Sequence, residues 1–332
     1  MLLRVFKSFH ISMLLLTPLL GVALWLYPFL NTGVQDFPFD SLPMPLYKLF
    51  LSAVQASGSP IFELIIAFIL ILLQVFLVIR LNIRYAILPE RTYLPGIIFM
   101  LIASSLTFVL RLHPAMLSNI CFLLTLDLVF GSYHKDNALS NYFDAGLLMA
   151  IGTLLYFNTA FFMLIVWIAL LVIRPFNWRE WAVTIIGFIV PFFLAIAYWF
   201  VNGVDIYPIL ITGFLYFIPD EFNIINYLQL SHICLMGFFV LLLLIALVFF
   251  NRLKNVKIRT RKYYTIFNSI LLVCIIIFLV LPLASVELLV FFAIPYSYFL
   301  ANYFIASKSR LRNEIFFFVL IAAILIVQYI RI

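Results

Sequence analysis

The chain has 332 residues, of which 67% are hydrophobic and only 10% charged, and its net charge is +7. A soluble globular protein is about half apolar and about a quarter charged, which excludes a soluble enzyme, a nucleic-acid-binding domain and a disordered scaffold as readings of the whole chain. What remains is an all-α integral membrane protein, and a mean hydropathy of +1.22 agrees.

A helix needs about 20 apolar residues to cross a bilayer. The apolar runs predict about eleven spans, near 11–30, 60–79, 93–110, 114–132, 142–157, 159–174, 181–201, 229–250, 264–282, 286–306 and 314–330. Arg4 and Lys7 precede the first run, but no small-residue cleavage site follows Leu30. That predicts a retained first helix rather than a signal peptide. In the segment 31–59, Asp36 and Asp40 come early, and Pro38, Pro43 and Pro45 exclude one regular helix. Pro45–Ala56 then reads as a short amphipathic helix lying at the interface, with Leu46, Leu49, Phe50 and Val54 on one side. A tight RLHP turn carries Arg111 and His113 between the third and fourth spans. Asp127 falls inside the fourth span, one or two turns from its end. The fifth and sixth spans are short and close together, like a helical hairpin. The stretch from Arg174 to Trp181, RPFNWREW, has the Trp and Arg of a headgroup anchor. Tyr207–Ile218 is apolar but only twelve residues long, which predicts a re-entrant segment. The basic loop 251–263 divides a front module, 1–250, from a terminal three-helix group, 264–332.

Orientation follows from the basic residues. With the N-terminus inside, 17 of the 20 lysines and arginines fall on the inner side, leaving Lys48, Arg111 and Arg331 outside. This is the positive-inside pattern, and it accounts for the +7 without any nucleic acid partner. Asp36, Asp40, Asp205, Asp220, Glu221 and Glu287 lie on the outer side. A span at 207–218 would carry the basic loop outward, so the charge pattern supports the re-entrant reading.

The scarce outer charges are the candidate site. Asp36 and Asp40 can act as a general base or hold a divalent cation through hard oxygen ligands, or they can simply solvate a loop. Arg111 can pair with a lipid phosphate, with His113 beside it, or it can snorkel to the headgroups. Asp205, Asp220 and Glu221 flank the re-entrant segment among Tyr207, Tyr216 and Tyr227, a setting suited to a sugar or lipid headgroup. Asp127 is a further candidate, because charge inside a span is expensive. Cys121, Cys234 and Cys274 read as small buried residues with no disulfide or metal spacing. There is no P-loop, HExxH or GxSxG motif.

The order of features from Asp36 to about Arg174 resembles the N-terminal half of GT-C superfamily glycosyltransferases. An outer loop with acids is followed by PLYKLF, by LHPAMLSNICFLLTLDLVF and by NYFDAGLLMAIGTLLYF. That resemblance implies a GT-C-like front half, a polyprenyl-phosphate-sugar donor, and Asp36 or Asp40 as base or metal ligand. The usual Asp-Glu pair is absent, and no large soluble outer domain follows. MPLYKL, LPERTYLPGIIFML, FDAGLLMAIGTLLYF and RPFNWREW resemble a family of uncharacterised multi-pass inner-membrane proteins of Bacteroidota. That second resemblance implies a bacterial inner membrane and no activity. The expected function is therefore a lipid-linked-sugar glycosyltransferase or a degenerate relative. A non-catalytic assembly or export subunit with membrane protein partners is the alternative. A transporter stands third, because few polar groups fall near the midplane.

Overall fold

Proline opens several of the helices. Pro45, Pro60, Pro95 and Pro114 stand in first turns, where the missing N–H breaks no intrahelical bond. The computed structural model describes residues 11–30, 44–56, 58–106, 110–201, 230–252, 256–280, 286–307 and 309–329, and the regular elements among them are all helical. In chain order these are α1 (Ile11–Leu30), α2 (Pro45–Gln55), α3 (Pro60–Tyr85), α4 (Leu94–Ala103), α5 (Pro114–Phe130) and α6 (Leu139–Leu155). A 3₁₀ turn, Phe157–Phe162, leads into α7 (Met163–Ile173) and α8 (Trp178–Val201). The rest are α9 (Leu230–Arg252), α10 (Ile258–Val280), α11 (Leu289–Ala306) and α12 (Arg310–Tyr329).

Among the described residues, six helices, α3 and α8 to α12, are long and apolar enough to cross a membrane, and five further apolar stretches are shorter. The expected span at 93–110 is not one helix: α4 stops at Ala103. Its 10 residues rise about 15 Å, half the hydrocarbon thickness. Ser104 and Ser105 end it, since serine offers the backbone alternatives to helix. The break is buried, and irregular backbone there needs partners from the protein. Trp25 on α1 donates its Nε1–H to Ser104 Oγ at 3.1 Å, and Gln328 on α12 donates to the Ser104 carbonyl. Gln328→Leu is expected to leave that carbonyl bare, at about 1–3 kcal/mol. A thermal melt in detergent checks it, and an unchanged Tm would remove the assignment.

α11 is the most enclosed of the long helices and packs against α4, α9, α10 and α5. Two of its tyrosines reach outward to backbone. Tyr298 donates to the Val78 carbonyl of α3 at 2.7 Å, and Tyr296 donates to the Phe239 carbonyl of α9 at 3.1 Å. α8 is the opposite case: among the described residues it packs mainly against α6, and most of its surface is exposed.

Polar groups do converge inside the bundle. Gln74 donates to the Met116 carbonyl at 3.0 Å, and Asn119 donates to Gln74 Oε1 at 2.8 Å. Ser118 bonds the Gly152 carbonyl and Thr159, which fixes the turn between α6 and α7 to α5. These bonds knit α3, α5 and the 3₁₀ turn together.

Candidate functional site

The short helix expected after Pro45 is present as α2, but its inward face differs from the sequence expectation. Tyr47 and Val54 are buried, with Phe50 and Leu51 half-buried, giving the i, i+3, i+4, i+7 face of a docked helix. Leu46 and Leu49 point away from the bundle. Tyr47 replaces them as the anchor because its ring can be buried while its hydroxyl finds a partner. That hydroxyl donates to the Leu112 carbonyl at 3.3 Å. α2 therefore sits on the RLHP turn and touches α3 and α6.

Two acids join this end of the molecule. Burial pushes the Tyr47 phenol up, and the carboxylates of Glu287 and Glu63 push it further, so both charges act on its hydroxyl. Glu287 is fully buried at the start of the 3₁₀ turn before α11, and Glu63 lies half-buried in the first turn of α3. The charge pattern of the sequence puts Glu287 among the acids expected outside without singling it out. Its signal is an acid directly ahead of an apolar run. One turn on, Phe291 stacks with Phe162 at 4.6 Å and with Tyr156 at 6.3 Å.

Arg111 is half-buried beside this helix. His113 occupies the position just before α5 and is fully buried, and burial pushes its imidazole down to about 3. It is therefore neutral at physiological pH, and Arg111 is the cation of the turn. Asp36, Asp40, Asp205, Asp220 and Glu221 lie outside the described residues, as does 207–218. Among the described residues, no group of three or more His, Cys, Asp or Glu side chains is arranged to hold a metal.

The opposite end gathers the basic residues. Asp127 meets Arg84 at 2.5 Å and Arg80 at 3.6 Å, while Tyr85 donates to its backbone carbonyl at 2.6 Å. Asp127 thus reaches the end of its helix and pairs there. Arg259 donates to Tyr263 at 2.7 Å and lies over the rings of Tyr85, Tyr133 and Tyr263. Lys262 donates to the Ile173 carbonyl at 3.1 Å. Arg174 and Glu180, read from sequence as part of a headgroup anchor, form a buried pair at 3.1 Å. Cys234 is exposed on α9, unlike the buried residue expected, whereas Cys274 is buried and Cys121 partly so.

No family model matches this chain, and neither the curated proteins nor the solved structures contain a match to it.

Proposed function

We propose that this chain is a multi-pass inner-membrane protein whose α2 end handles lipid-linked sugars, as a GT-C-type glycosyltransferase or a degenerate relative. The carrying observation is the docking of α2 on the RLHP turn through Tyr47 and Leu112, with Glu287 and Glu63 beside it. It gathers acid, guanidinium and aromatic groups at the end opposite the basic cluster. By the positive-inside rule that end faces outward. In this reading Asp36 or Asp40 deprotonates an acceptor or holds a divalent cation. Arg111 grips the phosphate of a polyprenyl-phosphate-sugar, since guanidinium matches phosphate bidentately. Asp205, Asp220 and Glu221 meet the sugar.

Asp36→Ala and Asp40→Ala, assayed with a polyprenyl-phosphate-sugar donor, test it. One of them is expected to lose about 10²–10⁴-fold in rate. Wild-type turnover in both sinks the catalytic assignment.

One observation favours the alternative, a non-catalytic subunit of a membrane assembly. α8 presents Phe193, Leu194, Phe200 and Val201 outward and, among the described residues, packs mainly against α6. Such a face suits a partner helix. Gentle solubilisation followed by affinity isolation separates the readings: a stoichiometric membrane partner supports the subunit.

A further inference from the structure

A cavity of about 310 Å³ opens at the basic end, within the size range of ligand pockets. Its walls are the turn after α3, the end of α9, the start of α10 and the last turns of α11. Ile87, Leu88 and Phe250 make it largely apolar, while Lys257, Thr260 and Asn302 supply its polar groups. Asn302 is 5% exposed, and among the described residues its Nδ2 has no hydrogen-bond partner. A buried amide donor without a partner costs free energy that a ligand acceptor would recover.

The other polar groups suit the same acceptor. Lys257 is exposed and stands just before α10, its carbonyl accepting from the Arg261 N–H at 3.0 Å. The first N–H groups of α10 have no intrahelical acceptor and point toward this end, where the helix dipole favours an anion. Among the described residues, no carboxylate lines the cavity. Within the basic run, Arg259 is committed to tyrosine rings and Lys262 to a carbonyl, whereas Lys257 lines the cavity. The walls are also held in place. Asn82 accepts from the Leu88 N–H and donates to the Thr92 carbonyl, both at 3.1 Å, which fixes the turn. Ala86 takes the left-handed backbone at φ 47° that starts it.

We infer that this cavity binds the phosphate of an anionic phospholipid, held by Asn302, Lys257 and the α10 N-terminus. Soluble phosphate shares that chemistry, but the apolar walls and the place of the cavity at the ends of spanning-length helices fit an amphiphile. This site stands apart from the α2 end and does not depend on the sugar-transfer reading.

The test uses the full chain, purified in neutral detergent and titrated with phosphatidylglycerol, phosphatidylcholine or inorganic phosphate while thermal stability is followed. Phosphatidylglycerol is expected to raise Tm saturably, and the other two are not. Lys257→Ala and Asn302→Leu are each expected to weaken the phosphatidylglycerol effect about tenfold, the size of one charged or buried hydrogen bond. Lys257 is exposed, so its variant decides the matter if Asn302→Leu does not fold. A phosphatidylglycerol effect matched by phosphatidylcholine, matched by inorganic phosphate, absent, or unchanged in Lys257→Ala overturns the inference.

Discussion

Arg174→Met is expected to destabilise the protein by about 3–5 kcal/mol, the cost of breaking a buried ion pair from one side. The side chains of Arg174 and Glu180 are only 12% and 3% exposed, and they meet at 3.1 Å. Removing the guanidinium strands a buried carboxylate. It also removes donors to the carbonyls of Ser132 at 2.9 Å and Lys135 at 2.6 Å, so the loop after α5 loses its tie to the end of α7. Arg174→Lys is expected to rescue little, because one ammonium cannot reproduce a planar fork with several partners. Arg174→Met with Glu180→Met is expected to be milder than the sum of the two, since no charge is left stranded. Thermal or denaturant unfolding in detergent reads all of these. A single Arg174→Met variant with wild-type Tm would dismiss the pair as a stabilising element.

That pair also shows which features the sequence carried and which it hid. Helix existence was readable, because long apolar runs opened by proline leave little else to form. The gathering of basic residues at one end was readable from the loops. Contacts between distant residues were not. Asp127 meets Arg84 across 43 positions, and nothing in its own helix announces that partner. The end of α4 is fixed by Trp25 and Gln328, 79 and 224 positions from Ser104. An apolar run broken by two serines looks continuous until those donors are in place. The face of α2 is hidden for a related reason. Hydrophobicity alone favours Leu46 and Leu49, whereas the bundle takes Tyr47, whose hydroxyl serves the Leu112 carbonyl. At the α2 end the RLHP turn was legible as a charged turn. The Glu287 charge that acts on Tyr47 there comes from a segment 240 positions further along the chain. RPFNWREW misleads because headgroup anchors and buried pairs use the same residue types.

The attachment of α8 gives the other large effect, and there single methyl groups decide. Gly146 on α6 and Gly187 on α8 let the two backbones touch. A methyl at Gly146 would lie 2.3 Å from the Thr184 carbonyl oxygen, and one at Gly187 would lie 2.3 Å from the Phe143 carbonyl oxygen. Those neighbours are backbone atoms, so no side chain can swing aside and the helices must part. Small residues at such crossings are how membrane helices associate without a hydrophobic drive between them. Overpacking of this kind costs about 1–3 kcal/mol, against at most about 1 kcal/mol gained in helix propensity, so the net sign is destabilising. The loss falls on α8 as a whole, because among the described residues α6 is its main support, with the Arg174–Glu180 pair and the Trp167–Trp181 stack holding only its start. Gly146→Ala and Gly187→Ala are each expected to lower Tm, and the double variant by less than the sum, because either methyl already opens the crossing for the other. Gly237 is the control with opposite sign. It is exposed on α9, and a methyl there would meet nothing within 4 Å, so Gly237→Ala keeps only the propensity gain and is expected to raise Tm slightly. Equal responses at Gly187 and Gly237 would mean that α8 is not held by backbone contact.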